Sequence, residues 1–366
     1  MKEESIAAVR AWLREQALDA CLITQPYNRV YLSGWLESDP EAAWLLISQE
    51  LCLLITSTLY REVAEREAAG CQVLVPERRD FAEAVAAQAR QYGWQRLGFE
   101  ASALSYSSYA RLSRGGEGHY TLQPLESTIV DRLRQVKSAQ ELEQLRKAAA
   151  ITDETFIRLR RWLRPGLSER EVQWEIIRTM IALGADGPAF EPIVAAGPNG
   201  SMPHARASER PIEAGELITI DMGARYQGYC ADMTRTVCLG EPREERMRTL
   251  YGAVLEAMRT CEQGLRAGLS GRQADSLARD VLERHGLAEY YIHSTGHGVG
   301  LEVHEEPLLS QRAPEDSHLP AGAVVTVEPG VYIPGWSGLR IEDSVLVLED
   351  GAEVLTRSPL DLIIPQ

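Results

Sequence analysis

The sequence predicts two domains, an α/β domain over residues 1–125 and an α+β domain over residues 126–366. In the first part, short apolar segments alternate with amphipathic helical segments, a pattern typical of a partly parallel sheet covered by helices. Near Val130 this pattern gives way to long helical segments, which are followed by strand-rich sequence. A chain of 366 residues is long enough for two domains of ordinary size.

The first domain is predicted to begin with a helix over residues 5–17, because Ile6, Val9 and Leu13 recur at helical spacing. Gln25-Pro-Tyr-Asn28 is expected to form a turn, and a second helix is predicted over residues 80–92. Short apolar segments predict strands at residues 20–24, 43–47, 51–56, 71–75 and 97–100.

The capping-box pattern Ser138-Ala-Gln-Glu141 predicts the start of the first helix of the second domain, and Ser168-Glu-Arg-Glu171 is predicted to begin the next. The first of these helices is expected to end at Arg164-Pro-Gly166, and Gly197-Pro-Asn-Gly200 predicts a turn. Further helices are expected over residues 243–264 and 270–285. Strands are expected at residues 191–196, 217–223 and 228–238 and throughout 323–365.

Composition excludes several classes of partner. The net charge of −15 argues against nucleic acid and anionic membranes, which both require a basic surface. No segment approaches the roughly 20 apolar residues of a membrane span, and the acidic start of the sequence does not resemble a signal peptide. The six cysteines are scattered without a C-x-x-C pair. Cys21, Cys52 and Cys238 lie in apolar segments and are expected to be buried thiols, so a reducing cytoplasm is predicted.

Several carboxylates lie in apolar sequence instead of on charged faces. Asp221 follows Leu217–Ile220, Glu328 follows Val324–Val327, and Glu342 lies among apolar residues. Burial of a carboxylate is costly unless a cation neutralises it. Each carboxylate alone is also compatible with an ordinary strand end or turn, and the Arg340–Glu342 pair with a surface ion pair. As an ordered set they predict a metal site, with the candidate ligands Asp221, Asp232, His297, Glu328 and Glu342.

Three of the seven histidines lie within one glycine-rich segment of 12 residues, His293–His304. Imidazole is the commonest metal ligand in proteins, and glycines allow the backbone to approach a ligand closely. A chance cluster of structural histidines is the alternative. The segment therefore favours a ligand role for at least one of His293, His297 and His304.

The order of these motifs resembles that of the M24B metallopeptidases, which include aminopeptidase P and prolidase and have the pita-bread fold. The resemblance covers residues 130–366 and includes Asp232-Met-Thr-Arg-Thr236, Gly296-His-Gly-Val-Gly-Leu-Glu-Val-His-Glu305, Val327-Glu-Pro-Gly330 and Leu339-Arg-Ile-Glu-Asp343. Tyr27-Asn-Arg-Val-Tyr-Leu-Ser-Gly34 is similar to the creatinase-like N-terminal domain of Xaa-Pro peptidases. The resemblance thus covers nearly the whole chain.

The resemblance implies roles for individual residues. Asp232 and Glu342 would bridge two divalent ions, Asp221 would complete the coordination of one ion, and His297 with Glu328 that of the other. Glu328 would also carry the proton from the attacking water to the leaving amine. The other expected site residues would contact the substrate or the tetrahedral intermediate, namely His204, His293, His304 and Arg340. An oxygen-rich donor set suits Mn²⁺, with Co²⁺, Zn²⁺ and Fe²⁺ as alternatives.

The resemblance implies an Xaa-Pro aminopeptidase, which cleaves the bond before proline and forms a homodimer, and the cytoplasm is the expected location. An Xaa-Pro dipeptidase (prolidase) is the alternative. Archaeal-type prolidases have an arginine directly after His-Glu-x-Pro, where this sequence has Leu308, although Arg312 lies nearby. Methionine aminopeptidase is disfavoured because such enzymes lack the N-terminal domain, and creatinase because it works without the metal carboxylates. A non-catalytic binding protein on the same fold is the remaining alternative.

Overall fold

The computed structural model describes residues 2–365. The chain divides into two compact units, Met1–Arg134 and Gln135–Gln366. The division falls at the end of a helix that spans Ile129–Gln135.

The N-terminal unit contains one six-stranded sheet in the order β4-β3-β2-β1-β5-β6. The pairs β3–β4, β1–β5 and β5–β6 are parallel, whereas β1–β2 and β2–β3 are antiparallel. This confirms the predicted partly parallel sheet. The strands are β1 Ala20–Ile23, β2 Ala43–Ser48, β3 Cys52–Thr56, β4 Gln72–Leu74, β5 Arg96–Glu100 and β6 Thr121–Leu125.

Helices cover both faces of this sheet, and successive residues of β1 pack to opposite sides. Ile23 contributes to the apolar cluster that contains Leu13, whereas Leu22 contributes to the cluster that contains Val85. The helices are α1 Lys2–Glu15, α2 Pro26–Ser33, α3 Arg61–Glu67, α4 Phe81–Tyr92, α5 Tyr106–Gly115 and α6 Ile129–Gln135.

The predicted turn at residues 25–28 is wrong, because these residues begin helix α2. The side-chain oxygen of Gln25 accepts a hydrogen bond from the backbone N–H of Asn28, which caps the helix. Pro26 lies in the first turn, where a backbone N–H has no partner within the helix. Pro26 therefore begins a helix instead of a turn.

The predicted starts of the first two helices of the C-terminal unit are confirmed, and both helices begin with a capping box. Ser138 with Glu141 caps α7 (Ala139–Trp162), and Ser168 with Glu171 caps α8 (Glu169–Ala182). Two further long helices, α9 (Glu245–Gly264) and α10 (Gly271–Arg284), match the predicted segments. Short 3₁₀ helices occur at Gly197–Ser201, where a turn was predicted, and at Ala288–Tyr290.

The strands of this unit form a four-stranded sheet (β20-β12-β9-β8), a five-stranded sheet (β14-β13-β15-β18-β19) and two smaller sheets. Helices α9 and α10 pack with residues of β15 and β18 in one large apolar cluster. The strands are β7 Gly187–Pro188, β8 Ile193–Ala196, β9 Leu217–Met222, β10 Ala224–Tyr226, β11 Tyr229–Cys230, β12 Met233–Leu239, β13 Gly296–Gly298, β14 Glu305–Leu309, β15 Val324–Val327, β16 Gly330–Ile333, β17 Ser337–Arg340, β18 Asp343–Leu348, β19 Gly351–Val354 and β20 Ile363–Ile364.

Within residues 2–365, every helix is too short or too polar to cross a membrane.

Candidate metal centre

The antiparallel pair β9–β12 brings the first two candidate ligands together. Asp221 lies opposite Thr234 in this ladder, and Asp232 directly precedes β12. The chain between them forms a separate hairpin, β10–β11, so the predicted strand at residues 228–238 is divided into β11 and β12. A side chain at Gly223 would place its Cβ only 1.8 Å from the carbonyl oxygen of Ala231, so this close approach requires glycine.

His297 is the central residue of the short strand β13, which pairs with both β14 and β15. A Cβ at Gly296 would lie 1.9 Å from the carbonyl oxygen of Thr326, so only glycine permits this packing. The backbone N–H of His297 donates to the hydroxyl of Thr326. The glycines beside His297 thus allow the strand that carries it to lie between two neighbours.

Glu328 and Glu342 both lie directly outside strands. Glu328 follows β15, and its backbone N–H donates to the carbonyl of Thr295. Glu342 lies between β17 and β18, and its backbone N–H donates to the carbonyl of Thr234. The expectation that Arg340 and Glu342 share one strand is therefore wrong, because β17 ends at Arg340.

Three of the five predicted ligands converge on one point. One donor atom each from Asp232, His297 and Glu342 lie within 4.8 Å of one another, and all three residues are buried. Glu328 lies beside this group, with its Oε1 3.3 Å from Nε2 of His297, and Oδ2 of Asp232 is 3.8 Å from the same nitrogen. Asp221 is held from the other side by Arg340, whose Nη2 lies 2.5 Å from Oδ2 of Asp221.

Burial and mutual repulsion strongly oppose ionisation of the carboxylates. Burial, followed by the charges of Glu342 and Asp221, raises the pKa of Asp232 well above its usual value. Burial and the charges of Glu328 and Asp221 do the same to the pKa of Glu342. The pKa of Asp221 is also raised by burial, although Arg340 opposes the shift. The protein therefore concentrates more negative charge here than its own cations neutralise.

Glu328 differs from the other carboxylates because it contacts His297. Burial opposes its ionisation, but the hydrogen bond and charge of His297, with His293 and Arg340, lower the pKa of Glu328 to about 2. Burial disfavours the cation of His297, yet the hydrogen bond with Glu328 raises the pKa of this imidazole. His297 and Glu328 thus stabilise each other's charged form.

The donor set fits divalent metal ions. Oδ1 of Asp221 is buried, and no hydrogen-bond donor among residues 2–365 reaches it. Nδ1 of His297 is 3.1 Å from the carbonyl oxygen of Gly298 and donates to it, so in the neutral ring Nε2, on the side of the carboxylates, would be free to bind a metal ion. Four carboxylates with one such nitrogen form a hard, oxygen-rich site.

A chain of hydrogen bonds connects Arg340 to His293. Nη1 of Arg340 donates to the hydroxyl of Tyr332 at 2.6 Å, and this hydroxyl lies 3.0 Å from Nε2 of His293. Because Nδ1 of His293 donates to the carbonyl of Ser294, Nε2 accepts from Tyr332. Burial lowers the pKa of His293 and thus favours this neutral form. Two predicted substrate residues therefore contact each other through a tyrosine.

His204 and His304 are exposed, unlike His297. The ring of His304 lies 4.3 Å from that of His297, measured between centroids. Burial, followed by the charge of His297, lowers the pKa of His304, and His204 contributes to the same shift. Two exposed imidazoles thus flank the buried cluster on its solvent side.

Tyr332 and Arg235 are residues of the site that were not predicted from the sequence. Tyr332 follows Glu328 by four residues and looks like an ordinary strand residue. Arg235 is 1% exposed and donates to the carbonyl of Glu342 and to the carboxylate of Asp343. The signal for Arg235 was its position between Thr234 and Thr236, because an arginine in a buried strand requires several acceptors.

Comparison with known families agrees with this geometry. The sequence model of metallopeptidase family M24 matches residues 143–349, more than half of the chain. The chain belongs to metallopeptidase family M24. The model of the creatinase/prolidase N-terminal domain matches residues 6–136 of this M24 protein. Both parts of the expected architecture, the creatinase-like domain and the pita-bread catalytic domain, are therefore confirmed, and family membership implies divalent metal ions.

Solved structures resemble this M24 protein along its whole length. A protein described as an Xaa-Pro dipeptidase from Bacillus anthracis is 40% identical, with a TM-score of 0.93 and full coverage of both chains. The X-Pro aminopeptidase from Thermotoga maritima is 35% identical, with a TM-score of 0.86 over 96% of this chain and 98% of the other. The Xaa-Pro dipeptidase of Pyrococcus furiosus is 34% identical over 99% of this chain and 100% of its own length.

Proposed function

We propose that this M24 metallopeptidase is an Xaa-Pro dipeptidase, which hydrolyses the bond between an N-terminal residue and proline. The main support for this proposal is the buried cluster of carboxylates around His297. It occurs in a chain that matches a described Xaa-Pro dipeptidase from end to end. The sequence favoured an aminopeptidase, with the dipeptidase as the alternative. The similar proteins described as dipeptidases support the dipeptidase more strongly.

Xaa-Pro aminopeptidase activity on longer peptides is the second candidate. Leu308, which is partly exposed in β14, lies where archaeal-type prolidases have an arginine that grips the dipeptide carboxylate. Arg312, the nearby arginine that could take the place of this residue, is exposed beyond the end of β14. The similarity to the Thermotoga maritima aminopeptidase supports the same candidate.

We propose that Asp221, Asp232, His297, Glu328 and Glu342 hold two divalent ions, with Mn²⁺ as the preferred metal. Asp232 and Glu342, which both lie in the converging group, would be the ligands shared by the two ions. Thr234 donates to Oε2 of Glu342 at 2.6 Å and thereby fixes the orientation of that carboxylate. When bound, such ions lower the pKa of a water molecule and polarise the scissile carbonyl.

The remaining steps belong to side chains of the protein. Glu328 lies at the edge of the cluster and is partly exposed, so its carboxylate can take the proton from the attacking water and deliver it to the proline nitrogen. His204 and His304 lie on the solvent side, where an imidazole N–H can donate to the developing oxyanion. His293 and Arg340, which are joined through Tyr332, are the proposed substrate-binding residues.

The test is hydrolysis of an Xaa-Pro dipeptide and an Xaa-Pro-Xaa tripeptide by metal-stripped protein, with and without added Mn²⁺. An Xaa-Ala dipeptide with the same first residue is the control for proline specificity. Metal-dependent cleavage of the Xaa-Pro dipeptide alone supports a dipeptidase, and cleavage of both Xaa-Pro substrates supports the aminopeptidase. Absence of cleavage of either by metal-loaded protein contradicts both.

A further inference from the structure

Cys52 and Cys71 lie side by side at one edge of the N-terminal sheet. Their Sγ atoms are 3.0 Å apart, although the two residues are 19 positions apart in sequence. Cys52 is the first residue of β3, and Cys71 directly precedes β4. These strands are parallel, with Leu53 opposite Gln72. Cys52 and Cys71 therefore lie next to each other, each one residue before the first facing pair, Leu53 and Gln72.

This strand pairing already provides the separation that a disulfide requires. Neighbouring strands lie about 4.8 Å apart, and the Cα atoms of disulfide-bonded cysteines are usually about 4.4–6.8 Å apart. A bond between the two sulfurs therefore needs no change in the register of β3 and β4. The sequence alone gave no indication of this pair, because no C-x-x-C motif is present.

The two thiols differ in their access to solvent. Cys71 is partly exposed, whereas Cys52 is 7% exposed and Cys21, in the same unit, is fully buried. The hydrogen bond with Cys71, followed by burial, raises the pKa of the Cys52 thiol. Cys71 is thus the sulfur that a dissolved oxidant reaches first, and Cys52 lies in contact behind it.

We propose that Cys52 and Cys71 form a reversible thiol–disulfide site, which a peroxide closes and a dithiol reopens. Cys71 loses its proton, and the resulting thiolate attacks hydrogen peroxide. The O–O bond breaks, and the departing hydroxide takes up the released proton to form water. The sulfur of Cys52 then attacks the resulting sulfenic acid, the S–O bond breaks, and the second hydroxide leaves as water with the Cys52 proton. Two thiols and one peroxide thus yield one disulfide and two waters.

The disulfide would join the edge strand β4 to its single neighbour, β3. Strand β4 has three residues, all of them exposed or partly exposed, and it forms the end of the sheet. The bond would close the loop that contains α3 and reduce the conformational freedom of the unfolded chain. We therefore expect the oxidised protein to melt at a higher temperature and to exchange the β4 amide protons more slowly.

Trypsin provides a direct test, because it separates the two cysteines. Cleavage after arginine places Cys52 in residues 30–61, Cys71 in residues 67–78 and Cys21 in residues 15–29. The folded full-length protein is treated with hydrogen peroxide, alkylated, unfolded and digested. We expect the first two peptides to appear joined and two hydrogens lighter than their sum, to separate after dithiothreitol, and the Cys21 peptide to remain unlinked.

The variant Cys71→Ala controls for the effect of oxidation on stability. Its melting temperature should not respond to peroxide, whereas that of the wild type should rise and return after dithiothreitol. Three results would overturn the proposal: peptides that stay separate, a Cys71 that is oxidised to sulfinic acid without linkage, or equal linkage of Cys21. Because Cys71 is only partly buried at the edge of the apolar cluster, its replacement by alanine removes one sulfur atom and no fully buried side chain.

Discussion

The guanidinium of Arg340 lies 2.5 Å from the carboxylate of Asp221, and both side chains are buried. Arg340 also donates to the hydroxyls of Tyr332 and Thr234 and lies 4.0 Å from Glu328. One cation thus contacts residues on both sides of the proposed metal centre. Arg340 thus contacts the proposed metal ligands directly and the proposed substrate residue His293 through Tyr332.

Replacement of Arg340 by methionine should destabilise the protein and abolish most activity. Removing one partner of a buried ion pair costs about 3–5 kcal/mol, because the other charge remains uncompensated. Thermal unfolding and kcat/KM measure the two effects. Arg340→Lys retains the charge but not the forked geometry, so it should be more stable than the methionine variant. Wild-type stability of Arg340→Met would contradict this assignment.

Replacement of Tyr332 by phenylalanine should disconnect His293 from Arg340 without removing a proposed metal ligand. The variant loses one donor and one acceptor among buried groups, at a cost of about 1–3 kcal/mol. We expect kcat/KM to fall while the affinity for Mn²⁺, measured by calorimetry, stays unchanged. A parallel loss of metal affinity would show that Tyr332 supports the ligands themselves.

Replacement of Asp232 by asparagine should weaken metal binding without lowering the stability of the metal-free protein. The change removes one of several carboxylates that repel each other, so the metal-free variant should melt no lower than the wild type. The gain in melting temperature on addition of Mn²⁺ should disappear. Activity should fall by more than the roughly 10–100-fold typical of residues that only support ligands. A metal-dependent gain equal to that of the wild type would exclude Asp232 as a ligand.

The metal-free protein should lose stability as pH rises. The folded state holds protons on Asp232 and Glu342 above their ordinary pKa values of 3.8 and 4.5, at which the unfolded chain releases them. The free energy of unfolding therefore falls with increasing pH. His297, whose pKa is raised, acts in the same direction at higher pH. Glu328, with a pKa of about 2, acts oppositely only below its ordinary value of 4.5.

Melting temperatures between about pH 5 and pH 8, with EDTA and with Mn²⁺, test this expectation. The curve with EDTA should fall more steeply, because bound metal neutralises the carboxylates. Parallel curves under the two conditions would show that the cluster does not control the pH dependence.

Glu100 should impose a separate pH dependence on the N-terminal unit. This buried carboxyl accepts from the backbone N–H groups of Thr24 and Gln25 and from the amide of Asn28. Burial nevertheless raises its pKa to about 7. Its contribution to the free energy of unfolding should therefore decline as pH rises from about 4.5 to 7. Denaturant unfolding of Glu100→Gln should lack this decline, and an unchanged pH profile would contradict the assignment.

The sequence predicted much of the structure where local pattern and burial agree. The capping boxes at Ser138 and Ser168 are local signals, and the structure retains both. Carboxylates in apolar sequence and histidines in a glycine-rich segment predicted a set of five ligands, of which Asp232, His297 and Glu342 converge. The sequence could not show which residues become neighbours through tertiary contacts. Tyr332 looked like a core tyrosine, and the contact between Cys52 and Cys71 depends on the pairing of β3 with β4.

The register of β9 and β12 determines where residues can be inserted or deleted without displacing Asp221 and Asp232. Asp221 belongs to a ladder of six facing pairs, and a deletion of one residue within β9 would turn its side chain to the opposite face. The hairpin β10–β11 lies outside that ladder, and it turns at Gln227 and Gly228. Natural variants can therefore lengthen this turn without moving either aspartate. A search for distant homologues should fix the residues around each aspartate but leave the number between them free.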